Sequence, residues 1–226
     1  MGAWTQVTSL CDEREIAVYE AAARTGAYPA KGGIVLVQEI FGVTPDITGL
    51  CDEIAAKGYR VVAPSVYDRI EPRFTADHAT PEGVAKARQA SLETRWETVT
   101  GDIQACVDRL RVDGPVFAMG FCYGGSATWI AAARCRGLSA ASAFYGRLIV
   151  EHLDEPPQCP IELHFGRTDP VIPMASVERI QSGYPDLTVH VYDAGHGFAS
   201  SRAQDFDADA KGLSFERTFR LFQANA

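Results

Sequence analysis

One stretch constrains the chain more than any other. Val116-Phe117-Ala118-Met119-Gly120-Phe121 is a short apolar run that meets Cys122 and then Gly124 and Gly125. The residues that follow, Ser126 to Ala133, are small, mostly apolar and compatible with a helix. The pattern predicts a strand, a sharp turn and a helix with Cys122 at the apex. It has the form G-x-C-x-G, the cysteine counterpart of the G-x-S-x-G nucleophile elbow. Gly120 and Gly124 suit such a turn because larger side chains would collide where strand and helix meet. The apex residue of an elbow is held in a strained backbone conformation that lifts its side chain above the sheet edge. Two readings of Cys122 stand at this point. It is a nucleophile, or it is a small buried residue at a tight turn, since free cysteine is among the most buried types.

The rest of the chain alternates in the same way. Thr5 to Leu10 and Glu15 to Ala21 predict an N-terminal hairpin around the polar turn Cys11 to Arg14, and Ala27 to Gly33 reads as a loop. The run Gly33 to Glu39 is continuous and β-branched at its centre, as in a strand buried on both faces. A helix is predicted from Asp46 to Lys57 with Gly58 closing it, then a strand from Tyr59 to Pro64. Asp68 to Pro81 is a long polar loop expected to lie over the sheet end. Glu82 to Arg111 reads as helix interrupted near Thr100-Gly101. After the elbow come a strand from Leu138 to Tyr145, a strand from Ile161 to Gly166, a helix from Ser176 to Ser182, a strand from Leu187 to Tyr192 and a final helix from about Gln204 to Phe222. This alternation predicts one α/β domain over residues 1–226, with a mostly parallel, doubly wound sheet and helices on both faces. Such sheets bind ligands beyond the carboxyl ends of their strands, where Glu39, Cys122, Asp169 and His196 all fall.

Bulk properties narrow the function. The 226 residues carry 21 basic against 29 acidic side chains, a net charge of −8, which argues against a nucleic-acid partner. No apolar run approaches the roughly 20 residues of a membrane span, and no secretory signal is evident, so a cytoplasmic location is expected. The six cysteines form no C-x-x-C pair and none has a histidine at zinc-ligand spacing, so reduced thiols and no metal site are expected.

A weak nucleophile needs a base, and the base needs an orienting group. Cys122, Asp169 in Gly-Arg-Thr-Asp-Pro and His196 in Ala-Gly-His-Gly-Phe follow one another in that order, each just after a predicted strand. Alone, Asp169 reads equally well as a turn residue and His196 as a solvated loop residue; their order and placement favour a triad. His164 and His190 lie inside predicted strands, and His78 and His152 in polar loops. Glu39 ends an apolar run, where an unpaired carboxylate is costly. It is either half of a structural salt bridge or a functional carboxylate facing Cys122.

The pieces Gln38-Glu39-Ile40-Phe41-Gly42-Val43, Gly120 to Gly125, Phe144-Tyr145-Gly146, Gly166-Arg167-Thr168-Asp169 and Ala194 to Phe198 together resemble the dienelactone hydrolase family, a branch of the α/β-hydrolases with a cysteine nucleophile. The resemblance implies the α/β-hydrolase fold, to which the hairpin read above adds an N-terminal antiparallel pair. It also implies Cys122 as nucleophile, His196 as base, Asp169 as orienting acid, and Glu39 as the group that keeps the resting thiol neutral. Backbone N–H groups of Ile40 and Tyr123 would form the oxyanion hole, and no cofactor is needed. Tyr145, Phe41, Phe198, Arg88 and Ser200 occupy candidate substrate-contact positions. Ser200 stands where members of the dienelactone type carry a substrate-binding arginine, and Arg88 is only a loose match to a second one. Arg202 and Arg147 are alternative sources of that positive charge, although each reads more readily as a surface residue. The expected activity is hydrolysis of a small ester or lactone through an acyl-thioester. A small-ligand-binding protein on the same fold, or an acyltransferase or thioesterase with the same triad, are the alternatives. A monomer or small homo-oligomer is expected.

Overall fold

The computed structural model describes residues 1–24 and 31–226; most of the loop expected from Ala27 to Gly33 lies outside them. Gly33 itself begins a strand. Three short hydrophobic runs supply the centre of an eight-stranded sheet in the order β1-β2-β4-β3-β5-β6-β7-β8. Its strands are β1 (Ala3–Thr8), β2 (Glu15–Ala21), β3 (Gly33–Val37), β4 (Arg60–Pro64), β5 (Val116–Phe121), β6 (Leu138–Phe144), β7 (Ile161–Gly166) and β8 (Thr188–Tyr192). β1 and β2 form the expected antiparallel hairpin, and β2 joins β4 antiparallel. From β4 through β8 every pairing is parallel. β3 and β5 are buried throughout, as their unbroken apolar runs require.

Alternation along β3 divides the core. Ile34 and Leu36 face a cluster completed by Ile47, Cys51 and Ile54 of α1 (Pro45–Ala55) and by Phe215 and Phe222 of α6 (Ala208–Ala224). Val35 and Val37 face the opposite cluster, with Val99, Ile103 and Leu110 of α3 (Trp96–Leu110) and Ala127 and Ala131 of α4 (Tyr123–Arg134). α2 (Pro81–Glu93) buries only Ala87 and Ala90 and lies mostly on the surface. α5 (Met174–Gly183) buries Val177 and Ile180 in the same cluster as Ile34.

Several boundaries differ from the sequence reading, and β3 ends at Val37 rather than at Glu39. β1 starts at Ala3 and ends at Thr8, because Ser9 begins the turn. The long helix breaks at Thr94-Arg95 rather than at Thr100-Gly101. Glycine weakens a helix, but Gly101 sits where a Cβ would come within 2.7 Å of the Cys11 Cβ, so it serves the approach of the N-terminal turn to an unbroken α3. α5 begins two residues early. α6 begins at Ala208, where the Asp207 side chain accepts the Ala210 N–H at 2.8 Å and caps the helix.

The loop after β4 packs, as expected, over the carboxyl end of the sheet, where the Ala76 N–H donates to the Phe41 carbonyl at 3.0 Å. A buried polar network lies among β6, β7, β8 and α6. Glu162 accepts from His164 at 3.0 Å and from His190 at 3.3 Å, and His164 meets the Tyr192 hydroxyl at 2.8 Å. Burial disfavours the Glu162 charge, yet the two histidine hydrogen bonds outweigh it and hold its carboxyl down at about 2.

Candidate active site

The elbow forms as its glycines dictate. A Cβ on Gly120 would overlap the Gly124 carbonyl oxygen, and one on Gly124 would overlap that of Val37. Cys122 has φ 55° and ψ −111°, a backbone conformation unfavourable to any residue with a side chain. Its N–H donates to the Phe144 carbonyl at 3.0 Å, which ties the apex to the end of β6. The fold therefore holds the strain rather than relaxing it.

The loops after β7 and β8 bring the other two groups to the sulfur. His196 Nε2 lies 3.3 Å from Cys122 Sγ, and His196 Nδ1 lies 2.7 Å from Asp169 Oδ2. The carboxylate can only accept, so Nδ1 carries a proton. The other Asp169 oxygen accepts the Val171 N–H at 2.7 Å and the Ile172 N–H at 3.1 Å. The Asp169 side chain is fully buried, while His196 keeps one edge open to solvent. Burial alone would discharge His196. Its hydrogen bonds to Asp169 and Cys122 outweigh that and raise it to about 10. Tyr145 and Phe198 frame the imidazole. Tyr145, itself at φ 38°, meets the His196 ring edge to face at 5.2 Å and Phe198 at 5.4 Å. Both side chains are fully buried.

Glu39 follows β3 across this cleft. Its ion-pair partner is Arg202, and each side chain is 8% exposed. The Arg202 guanidinium also stacks on the Phe41 ring at 4.7 Å and lies 3.7 Å from Asp46. Arg202 is therefore a buried member of the site and not the surface residue expected from the sequence. Its position in the polar run Ser200 to Asp205 carries no local signal, because its partner is 163 residues away. Among the described residues Cys122 pairs with His196, and Glu39 with Arg202.

The remaining candidates separate. The Ile40 N–H and the Tyr123 N–H donate to no protein acceptor among the described residues, the latter because it opens α4. Ser200 lines a cavity of about 230 Å³ together with Glu39, Asp46, Phe121 and Lys211. Arg88 is exposed on α2, in a cleft with His78, Val84 and Leu92 that contains no triad residue. Arg147 is exposed and 4.0 Å from Glu151. Gln38, to which the sequence assigned no role, is fully buried beside Glu39. Among the described residues no group of three or more histidine, cysteine or acidic side chains could hold a metal ion, and no helix is long and apolar enough to cross a membrane.

Similar proteins share the sequence pattern and the fold. A carboxymethylenebutenolidase of Pseudomonas putida is 30% identical over 194 residues, covering 81% of this chain and 82% of its own. A candidate carboxymethylenebutenolidase of Synechocystis sp. is 29% identical over 240 residues, covering 97% and 96%. The crystal structure of a candidate dienelactone hydrolase from Klebsiella pneumoniae shares the fold with a TM-score of 0.83 at 24% identity, covering 98% of each chain. The model of the dienelactone hydrolase family matches residues 18–226, and the chain belongs to that family of ester and lactone hydrolases.

Proposed function

We propose that the protein opens a small, carboxylate-bearing ester or lactone through a Cys122 acyl-thioester. The observation that carries this reading is the continuous hydrogen-bonded line from Asp169 through His196 to Cys122, at 2.7 and 3.3 Å. A nucleophile, a base and an orienting acid in contact are what acyl transfer to a thiol requires.

His196 Nε2, in contact with Cys122 Sγ, takes the thiol proton, and the thiolate so formed is the attacking species. Cys122 Sγ bonds to the substrate carbonyl carbon, and the carbonyl electron pair moves to oxygen. The N–H groups of Ile40 and Tyr123, which lack protein acceptors among the described residues, are the donors for that oxyanion. When the tetrahedral species collapses, the C–O bond breaks and His196 Nε2–H protonates the leaving oxygen. His196, now neutral, takes a proton from water as the water attacks the thioester. Collapse of the second tetrahedral species breaks the C–S bond and releases the acid, and the sulfur returns to its pairing with His196.

Arg202 supports the carboxylate in the substrate. A buried guanidinium stacked on Phe41 presents a planar fork suited to a carboxylate. It supplies, two residues further along, the positive charge that Ser200 lacks. A substrate carboxylate would exchange with Glu39 for this fork and leave the Glu39 carboxylate free to turn toward the sulfur.

The test is a panel of lactones and aryl esters, each with and without a carboxylate, combined with mass spectrometry of the quenched enzyme. The reading expects an acyl adduct on Cys122, its absence in Cys122→Ala, and a preference for the anionic substrates. Unimpaired turnover by Cys122→Ala would overturn the mechanism, and equal rates on neutral and anionic esters would overturn the role of Arg202.

A further inference from the structure

Gln38 lies one residue beyond β3, fully buried, at the point where Glu39 and Ile40 leave the sheet. Its Oε1 accepts the Val66 N–H at 3.3 Å, and its Nε2 donates to the Glu39 carbonyl at 3.3 Å. Only one orientation of the amide satisfies both partners, since an N–H must donate and a carbonyl must accept. Val66 follows β4, and β4 is the parallel neighbour of β3. Gln38 is thus a side-chain cross-link between the ends of two adjacent strands.

The carbonyl it grips belongs to the peptide unit that also carries the Ile40 N–H. A trans peptide is planar, and its C=O and N–H point in opposite directions. Holding the carbonyl therefore aims the N–H. A second donor holds the same oxygen: the Gly42 N–H, at 3.3 Å. Gly42 is at φ 88°, and a Cβ there would overlap the Phe74 carbonyl oxygen, so the turn closes back on Glu39 only with glycine in that place. The carbonyl face is fixed by two donors, while the opposite N–H has no protein acceptor among the described residues.

We infer that Gln38 is the positioning residue of the oxyanion site, aiming the Ile40 N–H at the carbonyl oxygen of the bound substrate. The inference rests on the hydrolase reading above and adds to it a residue that touches neither substrate nor sulfur. A donor stabilises an oxyanion most when its direction is set before charge develops, because no reorganisation is then needed during the reaction. A peptide unit free to rock about its Cα–Cα axis would lose that advantage at the moment of attack.

The experiment compares the parent with Gln38→Met and Gln38→Glu. Met keeps the volume and removes both hydrogen bonds. Glu keeps an acceptor for Val66 and replaces the donor by an oxygen, and either folded variant suffices. Two rates are read on each protein: steady-state hydrolysis of p-nitrophenyl acetate, and alkylation of Cys122 by iodoacetamide. Alkylation needs the thiolate but develops no oxyanion. Deleting an oxyanion donor outright costs about 10²–10³ in kcat, so misaiming one is expected to lower kcat by roughly 10- to 100-fold. KM and the alkylation rate are expected to stay within about threefold of the parent, since the interaction lost is made only in the transition state. An unchanged kcat in the folded variants overturns the inference alone. Hydrolysis and alkylation falling together also overturn it, because that pattern marks damage to the thiolate or the fold. A parent that hydrolyses no ester while its Cys122 alkylates normally overturns the hydrolase reading and this inference with it.

Discussion

Replacing Arg202 by Met keeps most of the side-chain length and removes the charge. The Glu39 carboxylate, 8% exposed, then loses its counter-ion. Asp46, which lies 3.7 Å from the same guanidinium, adds a second acid to the gap instead of relieving it. Removing one member of a buried pair costs about 3–5 kcal/mol, because the other charge is left desolvated. Loss of the stack on Phe41 adds about 0.5–2 kcal/mol. In a chain of this length each kcal/mol lowers Tm by roughly 2–4 °C, so a fall of about 7–28 °C is expected by calorimetry. Glu39→Gln in the same background removes the orphaned charge, and the double variant should recover about 1–3 kcal/mol relative to the sum of the single changes. The catalytic readout is the ratio of kcat/KM for an anionic ester to that for its neutral analogue. A hydrogen-bonded charge is worth about 1.5–3 kcal/mol, which predicts a drop of roughly 10- to 150-fold in that ratio. Additivity of the two changes within about 0.5 kcal/mol would refute the pairing, and an unchanged ratio would refute the anchoring.

Other perturbations test the site and its support. Asp169→Asn preserves shape but removes the acceptor that keeps the His196 proton on Nδ1; by analogy with the same change in serine triads, kcat should fall on the order of 10³–10⁴-fold with little change in KM. His196 binds its proton up to about pH 10 in the folded protein, against about 6.5 when unfolded. Its contribution to stability is thus complete below about pH 6.5 and is lost as pH rises through about 10. The stability gap between the parent and His196→Gln should narrow across that interval in urea titrations, and a constant gap would contradict it. Glu162 shows the opposite sign: its carboxyl is depressed to about 2, so its contribution is present above about pH 4.5 and disappears as pH falls toward 2. Glu162→Gln should be less stable at pH 7 yet lose less on acidification, as followed by far-UV circular dichroism. Gly42→Ala should lower Tm and kcat together, because the added Cβ meets the Phe74 carbonyl and displaces the turn that holds the Glu39 carbonyl.

The parts legible in the sequence are those whose cause is local. The run Ile34 to Val37 can only be a strand covered on both faces, and the glycines around Cys122 leave few alternatives to the elbow. Asp169 and His196 each follow a strand, so the parallel sheet brings them to one edge. The surface reading preferred for Arg202 failed because its burial depends on Glu39 and Phe41, contributed by the loop after β3. Gln38 stood in view but its role follows from a contact with Val66 across two strands, which no spacing encodes. The helix break was misplaced because Gly101 answers to the packing of Cys11 rather than to helix propensity.

Cys122 at φ 55° and Tyr145 at φ 38° end neighbouring strands and are joined through the Cys122 N–H to Phe144 carbonyl bond. Each conformation costs a side-chain-bearing residue on the order of 1–3 kcal/mol. The chain thus gives up a sizeable part of a typical folding free energy at the two positions flanking His196. Glycine at position 145 would relax one of them and would remove the ring that backs the imidazole. Selection for thermal stability alone should therefore erode this corner of the molecule first, and stabilised descendants would have to be screened for turnover to keep it.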